Sequence, residues 1–247
     1  MTEWLRYFSP PGRAKARLLC LPPGGGSAQL YQRWPASLGP DVEVVAVELP
    51  GRGSRSLQPL VTDMASLVSA LVTETAGLDD LPLVVFGHSM GGLVGWELCR
   101  RLPRPPQGLI VAAAAAPTRL RSPRWRSETT DEGLRELITR SEGLPSQAPL
   151  DPLFLEYFLP VLRADLTLAN TFEPEPLRPL RCPLRVYRGA ADPLVGDEEA
   201  DAWLAETEGD ARVHVFDGGH FFPRDNPRAM LAQLRADVLA AVEVPSL

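Results

Sequence analysis

Short apolar runs alternate along the chain with segments of helical periodicity. Six of the runs are continuous, as expected for strands that are buried on both faces of a sheet. They are residues 16–21, 42–48, 83–86, 108–116, 183–188 and 212–216. Helices are predicted over 62–75, 90–102 and 226–242, the first with a Thr-Asp N-cap signal and the last with Asn-Pro at its start. The alternation predicts an α/β fold with a mostly parallel central sheet flanked by helices.

Residues 118–176 depart from this alternation. They carry helical patterns over 132–139 and 152–168 but no strand pattern, and several prolines follow before the next strand. We therefore expect a helical lid at 118–176, inserted into a single domain that spans residues 1–247.

Composition narrows the class of protein. The 247 residues, 45% hydrophobic and 23% charged, fit one globular domain. A net charge of -6 argues against general affinity for nucleic acid or anionic membranes. No stretch reaches about 18 uninterrupted apolar residues, and the N-terminus lacks the apolar run of a signal peptide. We expect neither nucleic acid nor a membrane as a partner.

Three cysteines, Cys20, Cys99 and Cys182, have spacings that match neither a disulfide framework nor a zinc knuckle. They are expected to be small core residues. A reducing cytoplasm is the compartment that fits such thiols.

The run at 83–86 leads directly into the segment Gly87-His-Ser-Met-Gly91, and a helical pattern follows. Glycine two residues before and two residues after a serine predicts a nucleophile elbow, a turn so tight that side chains at the two glycines would collide. Such a turn presents the serine hydroxyl at the tip of a strand. Ser89 is therefore the candidate nucleophile.

A serine nucleophile needs a general base, and the chain has three histidines. His88 is expected to support the elbow, since a tight turn points it away from its neighbour. His214 lies inside the strand pattern at 212–216 and is expected to be structural. His220 follows that strand through a Gly-Gly turn, at the strand tips where catalytic residues of open α/β sheets gather. His220 is the candidate base.

The carboxylate that orients the base should come from another strand end. The run at 183–188 leads into Asp192, whose loop is stiffened by the proline that follows. Asp197 and Asp217 are weaker candidates, since the first is expected to cap the next helix and the second to shape its turn. The resulting chain order of serine, aspartate and histidine is that of α/β-hydrolases, whose fold and catalytic triad it predicts.

Acyl transfer also requires backbone N–H groups that stabilise the oxyanion. Met90, the residue after the nucleophile, is expected to supply one donor. The second should lie in the glycine-rich segment 22–27, which follows the strand at 16–21, and both Gly24 and Gly25 are candidates. A phosphate-binding loop is a poor match, because the segment lacks a lysine and the required glycine spacing.

Motifs along essentially the whole chain resemble those of type II thioesterases, the stand-alone editing enzymes of polyketide and nonribosomal peptide synthesis. They are Trp4-Leu-Arg6, Leu21-Pro-Pro-Gly-Gly-Gly-Ser27, Leu49-Pro-Gly-Arg52, Gly87-His-Ser-Met-Gly-Gly92, Leu162-Arg-Ala-Asp165, Gly189-Ala-Ala-Asp-Pro193 and Gly218-Gly-His-Phe221. The family often has His and Ala where this chain has Pro23 and Gly24. That departure concerns the second oxyanion donor and not the fold.

The resemblance implies hydrolysis of acyl groups from the phosphopantetheine arm of acyl or peptidyl carrier proteins, which releases misprimed or stalled chains. Ser89 would attack the thioester carbonyl while His220 takes its proton and Asp192 holds the imidazolium. The thiol leaves, and His220 then activates the water that releases the acid. Neither a metal nor another cofactor is needed.

The resemblance also implies a lid that selects the acyl chain. Five apolar residues stand there at helical spacing, and they either line a pocket or pack the helix on the core. They are Leu153, Phe154, Tyr157, Phe158 and Leu162. The motif that ends at Asp165 resembles the family's lid motif and is not placed in the catalytic set.

Four arginines lie close together at the start of the predicted lid, at Arg119, Arg121, Arg124 and Arg126. Carrier proteins are commonly acidic around their modified serine, so this segment is a candidate docking site. The alternative is a solvated loop.

Three other functions fit part of the pattern. A cyclising thioesterase or acyltransferase would use the same triad, but the chain starts with Met1 and has no carrier-domain sequence, which favours hydrolysis. A generic carboxylesterase stays an alternative, because an elbow does not distinguish oxygen from sulfur in the leaving group. A carrier-binding protein without activity is disfavoured by three triad residues in the expected order.

Overall fold

Seven strands form one sheet in a computed structural model that describes residues 3–10, 12–120, 128–141, 152–173 and 178–243. The strands are β1 (Leu5–Tyr7), β2 (Ala16–Leu21), β3 (Val42–Val47), β4 (Leu83–His88), β5 (Gly108–Ala112), β6 (Leu184–Gly189) and β7 (Ala211–Phe216). Their order across the sheet is β1-β3-β2-β4-β5-β6-β7. β1 is antiparallel to β3, and the other neighbours are parallel. The predicted α/β fold with a mostly parallel sheet is confirmed.

Helices cover both faces of this sheet. They are α1 (Trp34–Leu38), α2 (Met64–Thr75), α3 (Met90–Arg101), α4 (Asp131–Ser141), α5 (Pro152–Asn170), α6 (Asp197–Asp201), α7 (Phe222–Asp225) and α8 (Pro227–Glu243). One face of the sheet packs against α2 and α3, and the opposite face packs against α1 and α8. The chain therefore has three layers with a hydrophobic core on each side of the sheet.

Strand β2 shows why the apolar runs are continuous. Leu19 and Leu21 belong to the core under α2 and α3, whereas Leu18 and Cys20 belong to the core under α1 and α8. All four side chains are buried. Because successive side chains point to opposite faces, a strand covered on both sides is apolar at consecutive positions, as β2 is from Leu18 to Leu21 after the charged Arg17.

The sheet differs from the sequence prediction mainly at β1 and at the end of β5, while the other predicted strands shift by at most two residues at either end. β1 was not predicted, because three residues are too short for a periodic pattern; it pairs at the edge of the sheet with β3. β5 ends at Ala112, although the apolar run continues to residue 116. Ala113 has a φ of 50° and turns the chain away from the sheet, while its N–H still donates to the carbonyl of Tyr187 at 2.9 Å.

Helices α4 and α5 lie in the chain between β5 and β6. Their facing apolar residues form a small separate core of Leu134, Ile138, Leu155, Leu159 and Leu162. Arg163 of α5 donates to the carbonyl of Thr129 at 2.8 Å and pairs with Asp131 at the start of α4. No strand occurs among the described residues between Ala112 and Leu184.

The predicted lid is described in part. Its predicted end at 176 and three of the four clustered arginines, Arg121, Arg124 and Arg126, lie outside the described residues. Arg119 is described and is exposed to solvent.

The cysteines are core residues, as the sequence predicts. Cys20, Cys99 and Cys182 are all buried thiols outside any disulfide. Within the described parts of the chain, none of the helices combines the length and apolar content that a membrane crossing requires.

Candidate active site

Ser89 occupies the turn between β4 and α3 in a backbone conformation that is rare for a residue with a side chain. Its φ is 53° and its ψ is -118°. Strained backbone of this kind persists only where its surroundings hold it, and it is concentrated at functional sites. The Ser89 N–H donates to the carbonyl of Ala112 in the neighbouring strand β5 at 2.8 Å, and this bond fixes the turn to the sheet.

The two glycines of the elbow are in contact with backbone. A Cβ atom at Gly87 would lie 2.1 Å from the carbonyl oxygen of Gly91. A Cβ atom at Gly91 would lie 2.3 Å from the carbonyl oxygen of Leu21 on β2. Both distances are far below van der Waals contact, so neither position accommodates a larger residue. The geometry is that of the nucleophile elbow that the sequence predicts.

The structure brings Ser89, His220 and Asp192 together. Nε2 of His220 lies 3.0 Å from Oγ of Ser89. Nδ1 of the same ring lies 3.0 Å from Oδ2 and 3.2 Å from Oδ1 of Asp192. With the proton on Nδ1, the imidazole donates to the carboxylate and accepts from the serine hydroxyl, which is the arrangement that activates a serine.

Asp192 is held by backbone as well as by His220. Its side chain is fully buried, and Oδ1 accepts from the N–H groups of Leu194 at 2.8 Å and Val195 at 3.1 Å. Burial raises the pKa of this carboxyl, but the hydrogen bonds from His220 and from the two amides outweigh it, so the pKa lies below its ordinary value. The carboxylate therefore stays ionised beside the imidazole.

The two candidates for the second oxyanion donor differ in the structure. The N–H of Gly25 donates to Oδ2 of Asp165 at 2.7 Å, so it is already used. Gly24 lines the cavity beside Ser89, and no described residue accepts a hydrogen bond from its N–H. Met90 lines the same cavity as the first residue of α3, where helix N–H groups lack partners within the helix.

A cavity of about 380 Å³ extends from the serine between the sheet and the helices α4 and α5. It is mostly apolar. On the side of α3, the sheet and its loops it is lined by Leu93, Ala113, Ala114, Ala115, Leu194, Val195 and Phe221, and on the side of α4 and α5 by Leu137, Ile138, Phe158, Leu162, Leu166 and Ala169. The polar side chains of Arg140 and Ser141 at the end of α4 also line it. Its size and lining suit a small or medium apolar group attached to a carbonyl at Ser89.

Of the five apolar lid residues singled out from the sequence, only some contribute to this cavity. Phe158 and Leu162 line it. Leu153 and Tyr157 are half-exposed or more, at 74% and 50% of their surface, and Phe154 stacks on Phe158 from the solvent side. The first turns of α5 therefore form a surface, and the later turns form the cavity wall.

Comparison with known proteins identifies the family. The model of the thioesterase domain matches residues 16–238, which is most of the chain. The chain belongs to the thioesterase domain family. Members of this family hydrolyse thioesters.

One protein that is similar to this thioesterase is named for a biosynthetic pathway. A probable cadicidin biosynthesis thioesterase of Streptomyces griseus is 36% identical over 223 residues, which are 89% of this chain but 62% of that protein. The chain thus spans less than two thirds of the length of that relative. The similarity agrees with the family that the sequence motifs indicate.

Solved structures of type II thioesterases are similar over almost the whole chain. BorB, the type II thioesterase from the borrelidin biosynthetic cluster, superposes with a TM-score of 0.80 at 31% identity, covering 95% of this chain and 96% of that one. RedJ, the thioesterase from the prodiginine biosynthetic pathway in Streptomyces coelicolor, has a TM-score of 0.84 at 34% identity and covers 91% of each chain. The resemblance to type II thioesterases is confirmed.

One histidine and two aspartates that the sequence offers as alternatives make their contacts elsewhere in this thioesterase. His214 is on β7, where its Nε2 lies 3.7 Å from a carboxylate oxygen of Asp237. Asp197 pairs with Arg188 and is the first residue of α6, so Gly196 and not Asp197 is the N-cap. The carbonyl of Asp217 accepts from the side chain of Asn226 at 3.4 Å.

His88 supports the loop of the base rather than only the elbow. Its buried ring donates from Nε2 to the carbonyl of His220 at 2.9 Å and packs edge-on against Phe221. Burial and the nearby His220 ring lower its pKa from 6.5 to about 3. His88 is therefore neutral at neutral pH and carries the Nε2 proton that this bond requires. The sequence pattern predicted a supporting role but not this partner.

We expect Gly87→Ala to destabilise the thioesterase by about 3 kcal/mol or more, since the new methyl group must displace the backbone of α3. The matched control is Gly77→Ala, where a Cβ atom meets nothing within 4 Å. Chemical denaturation of both variants measures the difference. Equal midpoints for the two variants would contradict the packing described for the elbow.

The low pKa of His88 predicts a pH-dependent stability. Between pH 6.5 and about 3 the unfolded chain binds a proton at His88 and the folded chain does not. The free energy of unfolding therefore falls with decreasing pH in this window, by about 1.4 kcal/mol per unit from this residue. His88→Gln keeps an N–H donor and removes the titration, so its stability should depend less steeply on pH. Denaturant titrations from pH 4 to about 6 test this; parallel profiles of the two proteins would refute it.

Proposed function

We propose that the chain is a type II thioesterase that hydrolyses acyl groups from phosphopantetheine thioesters on carrier proteins, as an editing enzyme of polyketide or nonribosomal peptide synthesis. The observation that carries the proposal is the hydrogen-bonded series Ser89, His220 and Asp192 at one end of an apolar cavity. The family and the similar structures supply the substrate class.

In the first half of the proposed reaction, Oγ of Ser89 attacks the thioester carbonyl while Nε2 of His220 takes the hydroxyl proton. Asp192 stabilises the imidazolium through Nδ1. The N–H groups of Met90 and Gly24 donate hydrogen bonds to the oxyanion. Gly24 is favoured over Gly25 as the second donor because the N–H of Gly25 is already bonded to Asp165. The C–S bond then breaks, His220 protonates the leaving sulfur, and the acyl group stays on Ser89.

In the second half, water takes the place of the departed thiol. Nε2 of His220 accepts a proton from this water, whose oxygen attacks the acyl ester. When the second tetrahedral intermediate collapses, the proton returns to Oγ of Ser89 and the carboxylic acid leaves. No residue changes its net protonation over the cycle, so the chain needs no further reactant than water.

The acyl group would occupy the cavity between the sheet and the two helices. Phe158 and Leu162 from α5 and Ile138 from α4 form its outer wall, which supports the interpretation of these helices as a lid that selects the chain. The predicted docking of the carrier by the arginine-rich segment stays a prediction. Exposed Arg119 precedes Leu120, a cavity residue, and the other three arginines are not described.

The cytoplasm is the compartment that we propose. The buried free thiols of Cys20, Cys99 and Cys182 support it, because disulfides are rare in a reducing compartment. No described feature favours cyclisation or plain ester hydrolysis over thioester hydrolysis, and the experiment below distinguishes them.

We expect Ser89→Ala to lower the release of a short acyl group from a phosphopantetheinylated carrier protein by at least about 10³-fold, because the nucleophile is lost. Ser69→Ala, on the exposed side of α2, is the matched control and should retain full activity. The same acyl group on free pantetheine and as an oxygen ester completes the comparison. The carrier-bound thioester should be the best substrate.

Three other outcomes of this experiment would contradict the proposed thioesterase activity. Equal cleavage of the oxygen ester would indicate a generic carboxylesterase. Transfer of the acyl group to an added alcohol or amine in preference to water would indicate an acyltransferase or cyclising enzyme. Activity that survives in Ser89→Ala would place the chemistry at another residue.

A further inference from the structure

The glycine loop, residues 22–27, contains Gly24 but no helix or strand that would fix it. A hydrogen bond from the N–H of Gly26 to the carbonyl of Pro23 at 2.8 Å closes a turn within the loop, and contacts from outside hold this turn in place. Oδ2 of Asp165 accepts from the N–H of Gly25 at 2.7 Å. Arg52 donates to the carbonyl of Gly26 at 3.2 Å. The position of the loop, and with it that of the Gly24 N–H, therefore depends on two charged side chains.

These two side chains form a buried ion pair. Nη1 of Arg52 lies 2.6 Å from Oδ2 of Asp165, and Nη2 lies 2.7 Å from Oδ1. Their side chains are 5% and 2% exposed. A buried pair generally stabilises a protein no more than apolar residues of the same volume would. Stability alone therefore does not account for the ion pair. Its hydrogen bonds to Gly25 and Gly26 indicate that it holds the glycine loop in position.

The ion pair also joins the loop to the helix that lines the cavity. Asp165 is on α5, and the same helix presents Phe158 and Leu162 to the cavity. Both apolar residues touch the loop as well. Gly25 has a φ of 75°, and a Cβ atom there would lie 2.6 Å from the ring of Phe158. A Cβ atom at Gly24 would lie 3.5 Å from Leu162.

We propose that Asp165 is a positioning residue, which holds the N–H of Gly25 so that the N–H of Gly24 is directed at the oxyanion. Arg52 fixes the carboxylate in that orientation. This inference rests on the proposed thioesterase reaction and adds a consequence to it. Because α5 carries both the acyl wall and Asp165, an acyl chain that displaces α5 also displaces an oxyanion donor.

The test is Asp165→Asn. With its NH₂ at the position of Oδ2, the amide no longer accepts from the N–H of Gly25. With its NH₂ at the position of Oδ1, it faces Nη2 of Arg52 and breaks the paired contact that orients the other oxygen. We expect kcat per active site, counted with a fluorophosphonate, to fall about 10- to 100-fold, part of the effect of losing an oxyanion donor. KM should change by less than about threefold, because substrate binding is not what the contact supports.

A second readout separates the oxyanion site from general damage. An alkyl boronic acid forms a tetrahedral adduct on a catalytic serine and places an oxygen where the oxyanion forms. Its affinity for Asp165→Asn should fall by about the same factor as kcat. The matched control is Asp131→Asn, which breaks the other ion pair of α5, with Arg163, and does not contact the glycine loop. Its kcat and its boronate affinity should equal those of the wild type.

A double variant tests the proposal in case Asp165→Asn does not fold. Arg52→Met with Asp165→Leu replaces the pair by apolar side chains, which buried sites commonly tolerate. It lacks the acceptor for Gly25, so a folded protein with low kcat and weak boronate binding is expected.

The proposal is overturned if kcat and boronate affinity per active site stay within about twofold of the wild type in the folded double variant, where the N–H of Gly25 has no acceptor. It is also overturned if only KM rises, since Asp165 would then serve the acyl wall alone. Failure of the proposed function looks different. In that case the wild type itself would release no acyl group and bind no boronate, or Ser89→Ala would keep the activity.

Discussion

The strained turn at Ser89 is the constraint on which the rest of the site depends. Three neighbouring strands meet it: β4 leads into it, the carbonyl of Ala112 on β5 accepts its N–H, and the carbonyl of Leu21 on β2 leaves no room for a side chain at Gly91. The position of the Ser89 hydroxyl thus depends on the backbone of the turn, which the three strands hold in place, as well as on the side-chain rotamer. Everything else in the site is placed relative to this one oxygen.

The parallel sheet explains how distant residues reach that oxygen. β6 and β7 end at the same edge as β4, so the loops that carry Asp192 and His220 start beside the elbow. His88 then links the elbow back to the carbonyl of His220. The opposite wall of the cavity is formed by α5, which is not part of the sheet. This helix packs against α3 through residues that include Leu168 and contacts the glycine loop through Asp165. The proposed catalytic side chains thus follow strands, whereas the proposed second oxyanion donor, Gly24, lies in a loop that a helix contacts.

The sequence predicts the features that are local or periodic. Continuous apolar runs reveal the parallel strands because both faces are covered, and the elbow is a local pattern of glycines around Ser89. Asp192 and His220 follow from the rule that strand ends meet at one edge. Long-range contacts escape such reasoning. The pairing of Arg52 with Asp165 joins residues 113 positions apart. The choice between Gly24 and Gly25 depends on a second such contact, from the N–H of Gly25 to Asp165, 140 positions away. The sequence draws attention to Arg52 and Asp165 only through the two family motifs in which they occur, and neither motif indicates that the two residues pair.

The central claim is that Ser89 carries the acyl group during the reaction. The most direct test is to mix the protein with a carrier-bound acyl thioester, quench with acid within the first turnover and measure the mass of the peptide that contains Ser89. The account predicts that this peptide gains the mass of the acyl group and that the gain disappears as free acid is released. Release of acid with the acyl mass on another peptide, or on none, would contradict it.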